Sequence, residues 1–152
     1  MDDLEKQAYI FGTIFTLSNK LQVLGDQFDA NITIKQWLFL VRVSKFDSPP
    51  TVSEVAKSIG YSRQNAKRIA ATLEGRGYVK LRRDEFDARA WRIELTEQCT
   101  DYFRARDERE IQFLRQVFSA FDTGLTVGLY DGLKKLEQNI GAMMTDEEEP
   151  ED

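Results

Sequence analysis

A mainly α fold carrying one small β-hairpin is the class this sequence predicts. Three patterns predict it. Apolar residues recur at helical spacing through most of the chain, two short stretches near the middle alternate at period two, and capping and glycine signals separate these stretches. At 152 residues the chain has single-domain length, and its ten Phe provide ample core material. One domain is expected over residues 1–145, with a central module over 30–96 and pairing helices over 1–28 and 97–145. Residues 146–152 are nearly all acidic and are expected to be a disordered tail.

The first helix is expected from Asp2 to about Asp26, with Leu4, Ala8, Phe11, Phe15 and Leu21 among its apolar positions. Thr33-Ile34-Lys35-Gln36 has the form of a capping box, in which the Thr33 hydroxyl and the Gln36 side chain satisfy each other's backbone N–H. Trp37, Leu38, Leu40 and Val41 follow as a short buried helix. Pro49 and Pro50 exclude helix and isolate the next start, a second capping box at Thr51-Val52-Ser53-Glu54. Val52, Val55, Ala56 and Ile59 form one apolar face, and Gly60 suits the left-handed residue that ends such a helix. Ser62 is an N-cap for a further helix with Ala66, Ile69, Ala70 and Leu73 inward, broken by Gly75 and Gly77.

Two strands come next. Tyr78-Val79-Lys80-Leu81-Arg82-Arg83 sets Val79 and Leu81 against Lys80 and Arg82, and Trp91-Arg92-Ile93-Glu94-Leu95 turns Trp91, Ile93 and Leu95 one way. Between them, residues 84–90 make a polar loop long enough to project. Thr96 then caps a long helix carrying Tyr102, Phe103, Ile111, Leu114, Val117, Phe118 and Phe121. Gly124 and Thr126 mark a break or kink. A last helix bears the stripe Leu125, Leu129, Leu133, Leu136, Ile140 and Met143.

Two short helices, a tight turn and a hairpin make a winged helix-turn-helix, a module that lays its second helix in the major groove of DNA. The outer face of that helix carries the side chains the task needs. Gln64 and Asn65 match adenine, Arg63 and Arg68 match guanine or phosphate, Lys67 matches phosphate, and Ser62 opens the helix N-terminus. In the wing, Arg82, Arg83 and Arg89 are cationic. Arg89 near the loop tip can enter a minor groove; the plainer alternative is that Asp87, two residues before it, only fixes the loop with it by a salt bridge, and the two roles are compatible. Residues 57–92 hold ten Lys and Arg against four Asp and Glu, whereas the whole chain is at −5, so a basic patch sits on an acidic body.

Other chemistry is poorly supplied. The chain has no His, which removes the commonest general base and metal ligand, and one Cys, which excludes an internal disulfide and a Cys-cluster zinc site. Phosphate-loop, dinucleotide and nucleophile-elbow glycine motifs are missing from the sequence. No catalytic residue, metal or cofactor is therefore expected. No apolar run approaches membrane length, and the acidic N-terminus does not read as a signal peptide, so a reduced, cytoplasmic protein is expected.

Several of these residues fall together in a known pattern. Asp87-x-Arg89-x-x-x-x-x-Leu95-Thr96 resembles the wing signature of the MarR family of bacterial transcription regulators. Thr33-x-x-Gln36-Trp37 is similar to that family's second helix, Ser62-Arg63-Gln64-Asn65 to its recognition-helix start, and Leu73-Glu74-x-x-Gly77-Tyr78-Val79 to its helix-to-wing junction. Cys99 departs from the pattern, which often has Gly there. The resemblance implies a homodimer paired through both terminal regions, bound to double-stranded DNA at a pseudopalindromic site and acting as a repressor. It also implies release by a small aromatic or phenolic ligand, held between the dimerisation helices and the winged helix. Phe11, Phe15, Trp37, Tyr102 and Phe103 would line that pocket, with Arg42 as anion partner. Cys99 is a poor redox sensor because Glu97 and Asp101 disfavour a thiolate, although a helix N-terminus acts in the opposite sense. A protein-interaction adaptor without specific DNA binding is the alternative. The joint presence of Gln64, Arg68 and Arg89 argues against it.

Overall fold

Reciprocal capping boxes set three of the helix starts. Asp2, Thr33 and Thr51 each accept a backbone N–H three residues on, and Glu5, Gln36 and Glu54 reach back to the capping residue's own N–H. The computed structural model describes residues 1–145, so the tail expected at 146–152 lies outside the described residues. The elements in order are α1 (Asp3–Phe28), α2 (Ile34–Ser44), α3 (Val52–Ile59), α4 (Arg63–Gly75), β1 (Val79–Arg83), β2 (Trp91–Leu95), α5 (Glu97–Val117) and α6 (Thr123–Thr145). Among the described residues, six helices and a two-stranded antiparallel hairpin give the predicted class, a mainly α winged helix-turn-helix. Met1–Ala105 form one compact unit, and a second begins at Arg106, inside α5.

The core of the first unit lies among α2, α3, α4 and the hairpin. Phe39, Leu40, Val55, Leu73, Ile93 and Cys99 are fully buried there. The inward face of α4 is Ala66, Ile69, Ala70 and Leu73, as its spacing predicts. For α2 the expected face is corrected. Phe39, Leu40 and Val43 are buried, while Trp37, Leu38 and Val41 are only half-buried, because the core meets the helix about a third of a turn away from Trp37. Gly25 lets α1 approach α2 closely: a Cβ there would lie 2.6 Å from Ile34 Cδ1.

Two glycine turns shape the central module. Gly60 is left-handed (φ 86°) and closes α3, as expected. At the end of α4 the break is Gly77 alone (φ 83°), since Gly75 is still helical. The hairpin registers Val79 with Leu95, Leu81 with Ile93 and Arg83 with Trp91. Ile93 N–H also donates to Pro50 O (2.9 Å), and Thr51 forms an isolated antiparallel bridge with Arg92, so the residues just before α3 are tied to β2. Thr96 joins wing to helix: its hydroxyl donates to Gly77 O (2.6 Å) and accepts from Cys99 N–H (3.1 Å).

The break between the last two helices also differs from expectation. It falls at residues 118–122, where Ala120 is left-handed (φ 63°) and Asp122 Oδ1 caps α6 by accepting from Leu125 N–H (2.8 Å). Gly124 and Thr126 lie within the first turns of α6. The Asp122 cap starts α6 ahead of Gly124, and a Gly inside the first turn is tolerated at a cost of about 1 kcal/mol. No residue of α6 is buried, and in α1 only Gly25 is. Among the described residues no helix is long and apolar enough to cross a membrane, and no group of three or more metal-ligating side chains gathers.

Candidate nucleic-acid interface

The outer face of α4 is built from its first turn. Ser62 Oγ accepts from Asn65 N–H (3.1 Å), leaving the remaining N-terminal amides at the positive end of the helix dipole. Arg63, Gln64, Lys67 and Arg68 are exposed, opposite the four buried residues. Asn65 is half-buried, and its Oδ1 accepts from Arg68 Nη2 (2.8 Å). That bond aims the guanidinium along the helix surface, so Asn65 acts on Arg68 as well as presenting its own amide.

The wing is held by a carboxylate at the start of its loop and a guanidinium from β2. Asp84 Oδ2 accepts the N–H groups of Phe86 (3.2 Å) and Asp87 (3.0 Å), and its Oδ1 takes Arg92 Nε. Arg92 Nη1 donates in turn to Pro49 O (2.6 Å), tying the loop to the start of α3. The Arg92 hydrogen bond holds the Asp84 carboxyl below its ordinary range, and Asp84 raises Arg92 reciprocally. The loop is closed further by Asp84 N–H to Ala90 O (3.0 Å) and Ala90 N–H to Asp87 O (3.0 Å).

The predicted wing residues sort by their contacts. Arg82 pairs with Glu94 (2.7 Å) across the hairpin. Arg83 lies over the Trp91 ring at 5.1 Å and donates to Ala88 O (3.4 Å). That stacking accounts for Trp91 facing solvent more than its strand phase predicts. The Asp87–Arg89 relation also differs from the expected salt bridge: Asp87 Oδ1 accepts Arg89's backbone N–H (3.0 Å). Asp87 thus shapes the turn, and the exposed Arg89 side chain projects from it.

Asp84, Phe86 and Arg92 were not singled out from the sequence. Asp84 had a readable signal, since Asp at the start of a loop accepts amides two and three residues on. Arg92 registered only as charge, because its bond to Pro49 spans 43 residues.

The six proposed pocket residues all lie in the first unit. Trp37, Tyr102 and Phe103 pack against the core, the Tyr78 and Tyr102 rings are 5.1 Å apart, and the Tyr102 hydroxyl bonds to Asp29. Arg42 is half-buried near the end of α2. Phe11 and Phe15 form an edge-to-face pair (5.2 Å) but are 66% and 59% exposed. Two surface concavities have other linings. One of about 440 Å³ runs from Val43 to Pro50 and along Ile93, Glu94 and Leu95. One of about 280 Å³ at the wing base is lined by Ser48, Pro49, Arg82, Arg83, Asp84, Glu85, Phe86 and Arg92. Cys99 is fully buried, and burial pushes its thiol up to about 11. The cause is loss of water around the sulfur, where the sequence pointed to the neighbouring carboxylates.

Known proteins share this arrangement. Residues 30–90 match the sequence model of the MarR family. The transcriptional repressor MprA of Escherichia coli (strain K12) is 33% identical over 94 residues, covering 62% of this chain and 53% of the relative. The chain thus spans about half the length of the curated relatives it matches. Among solved structures, a MarR protein from Peptoclostridium difficile has a TM-score of 0.80 at 18% identity, covering 91% of this chain and 92% of its own. An organohalide-sensing transcriptional regulator in its 2,4-dichlorophenol-bound form has a TM-score of 0.75 at 16% identity, covering 94% of this chain and 88% of its own. At these identities the structural likenesses establish the fold.

Proposed function

We propose that the chain is a winged-helix transcriptional regulator of the MarR family, that it binds DNA sequence-specifically as a homodimer and that it represses transcription. The observation that carries the reading is α4. Its inner face is wholly buried, and its outer face offers Arg63, Gln64, Lys67 and Arg68 together to solvent. A helix sunk in the core by one face and bearing bidentate donors on the other meets what major-groove readout requires. The local charge supports it, since residues 57–92 are strongly basic in a chain of −5.

Two-fold pairing would set two α4 helices about one DNA turn apart and call for an inverted repeat. The exposed apolar residues of α1 and of α6 are the surfaces for such pairing. A small aromatic or phenolic anion is the proposed effector, with Phe11, Phe15, Trp37, Tyr102, Phe103 and Arg42 as lining. The dichlorophenol-bound neighbour supports that class of ligand. The protein would act in the cytoplasm, where the DNA is.

The test is selection of bound duplexes from a random pool at near-physiological salt. An enriched inverted repeat with half-sites about one turn apart is expected. Salt-sensitive binding with no enriched motif would sink the specific reading and favour a protein-interaction adaptor.

A further inference from the structure

Phe86 is 94% exposed, the most exposed large apolar side chain among the described residues. It is not a loose ornament. Its N–H donates to Asp84 Oδ2 (3.2 Å), Asp87 N–H joins the same oxygen (3.0 Å), and Arg92 anchors Asp84 to the body of the module. Five residues thus fix the backbone that carries the ring: Asp84, Asp87, Ala90, Arg92 and Pro49. A polar loop this well tied needs no Phe for its own stability. Holding a whole ring in water forfeits burial that is worth about tenfold or more in a binding constant.

The surroundings select the partner. Phe86 rims the concavity of about 280 Å³ whose lining includes Arg82, Arg83 and Arg92. Arg89 projects from the same loop, three residues on. An apolar ring beside several guanidinium groups suits a surface with apolar walls between rows of anions. The minor groove of duplex DNA is such a surface: deoxyribose walls and base edges between two phosphate strands, into which proteins press apolar wedges. Glu85 is exposed in the loop and disfavours close approach to phosphate. A ring that enters the groove between the strands tolerates this better than a side chain that must sit on the backbone.

We propose that Phe86 is a DNA-contacting residue, its ring pressed into the minor groove beside Arg89. The proposal rests on the DNA-binding reading above and adds an apolar contact to a wing otherwise described by its cations.

The test compares full-length wild type, Phe86→Ala and Phe86→Leu on the duplex enriched by the selection experiment, across a series of KCl concentrations. Circular dichroism checks folding, which a fully exposed ring should not affect. Phe86→Ala is expected to lose about tenfold in affinity with an unchanged salt slope, because no phosphate contact is lost, and Phe86→Leu to recover most of it. Ala affinity within about twofold of wild type would overturn the proposal, and so would a loss accompanied by a shallower salt slope. If the wild type binds no duplex, the DNA-binding reading itself falls and takes this proposal with it. Binding by the wild type with an indifferent Phe86→Ala removes the Phe86 contact alone.

Discussion

The central module and the terminal helices solve the burial problem differently. Around α2, α3, α4 and the hairpin, apolar side chains such as Phe39, Leu40, Leu73 and Ile93 are wholly enclosed by their own chain. In α1 and α6, residues such as Leu4, Tyr9, Phe11, Leu129, Leu133 and Met143 stand in solvent. Exposed apolar surface of this extent signals an interface. The contrast is between a module whose apolar side chains are enclosed by its own contacts and terminal helices whose apolar side chains stay exposed.

The largest effect is expected where that contrast is broken. Leu129 and Leu133 are one helical turn apart in α6 and 43% and 46% exposed. The double variant Leu129→Glu with Leu133→Glu would place two charges in the proposed pairing surface. It is expected to be monomeric by light scattering and to lose about a hundredfold or more in affinity for an inverted repeat, since one winged helix offers few base contacts. The central module should retain its helical circular dichroism. A variant that stays dimeric would remove α6 from the interface.

Next in size is a backbone change inside the module. Gly77 has φ 83°, and a Cβ there would lie 2.5 Å from Gln98 Oε1. Gln98 also donates to Arg76 O (3.1 Å), so its side chain is not free to swing aside without cost. Gly77→Ala is expected to destabilise by about 1–3 kcal/mol in urea unfolding. An equal or higher midpoint would show that the turn relaxes.

Smaller still is the wing's response to acid. The folded-state pKa of Asp84 is depressed, first by its hydrogen bond to Arg92. A depressed carboxyl contributes stabilisation above its unfolded value and loses it as pH falls through the folded value. The wing should therefore loosen only below about pH 4, the ordinary range for Asp. Nuclear magnetic resonance can follow the amides of Phe86 and Asp87, which donate to this carboxylate. Both should shift in that window, and Asp84→Asn should abolish the shift. Titration of both amides above about pH 5 would contradict the assignment.

Local signals were legible in the sequence wherever a few adjacent residues decide the outcome. The capping boxes at Thr33 and Thr51, the left-handed Gly60, the buried row of α4 and the span of β2 all depend on neighbours within about one helical turn. Residues settled by distant partners were not legible. Arg92 reads as one more cation until Pro49 is found beside it, and Tyr102 as a core or pocket aromatic until its hydroxyl meets Asp29, 73 residues away. Trp91 keeps its strand phase, but at the outer end of the hairpin its register partner is Arg83, so the ring meets a cation and stays partly exposed. The α5–α6 break is legible from Gly124 and Thr126 but falls a few residues earlier, because Ala120 takes a left-handed conformation that composition gives no reason to expect.

The smallest effect concerns Cys99, and it tests whether the module is independent of the pairing surface. Its thiol is fully buried and raised to about 11. At pH 7 only about one molecule in ten thousand would carry the thiolate, the form that attacks disulfide reagents or peroxide. Labelling must therefore wait for the module to open, and its rate measures that opening. Mild peroxide should leave Cys99 unmodified by mass spectrometry and DNA binding unchanged. The labelling rate should also be nearly equal in the wild type and in the Leu129→Glu, Leu133→Glu variant, because Cys99 packs among residues of the central module. A rate that rises many-fold in the monomeric variant would mean that partner contacts hold the module closed, and the division between a self-sufficient centre and dependent termini would have to be given up.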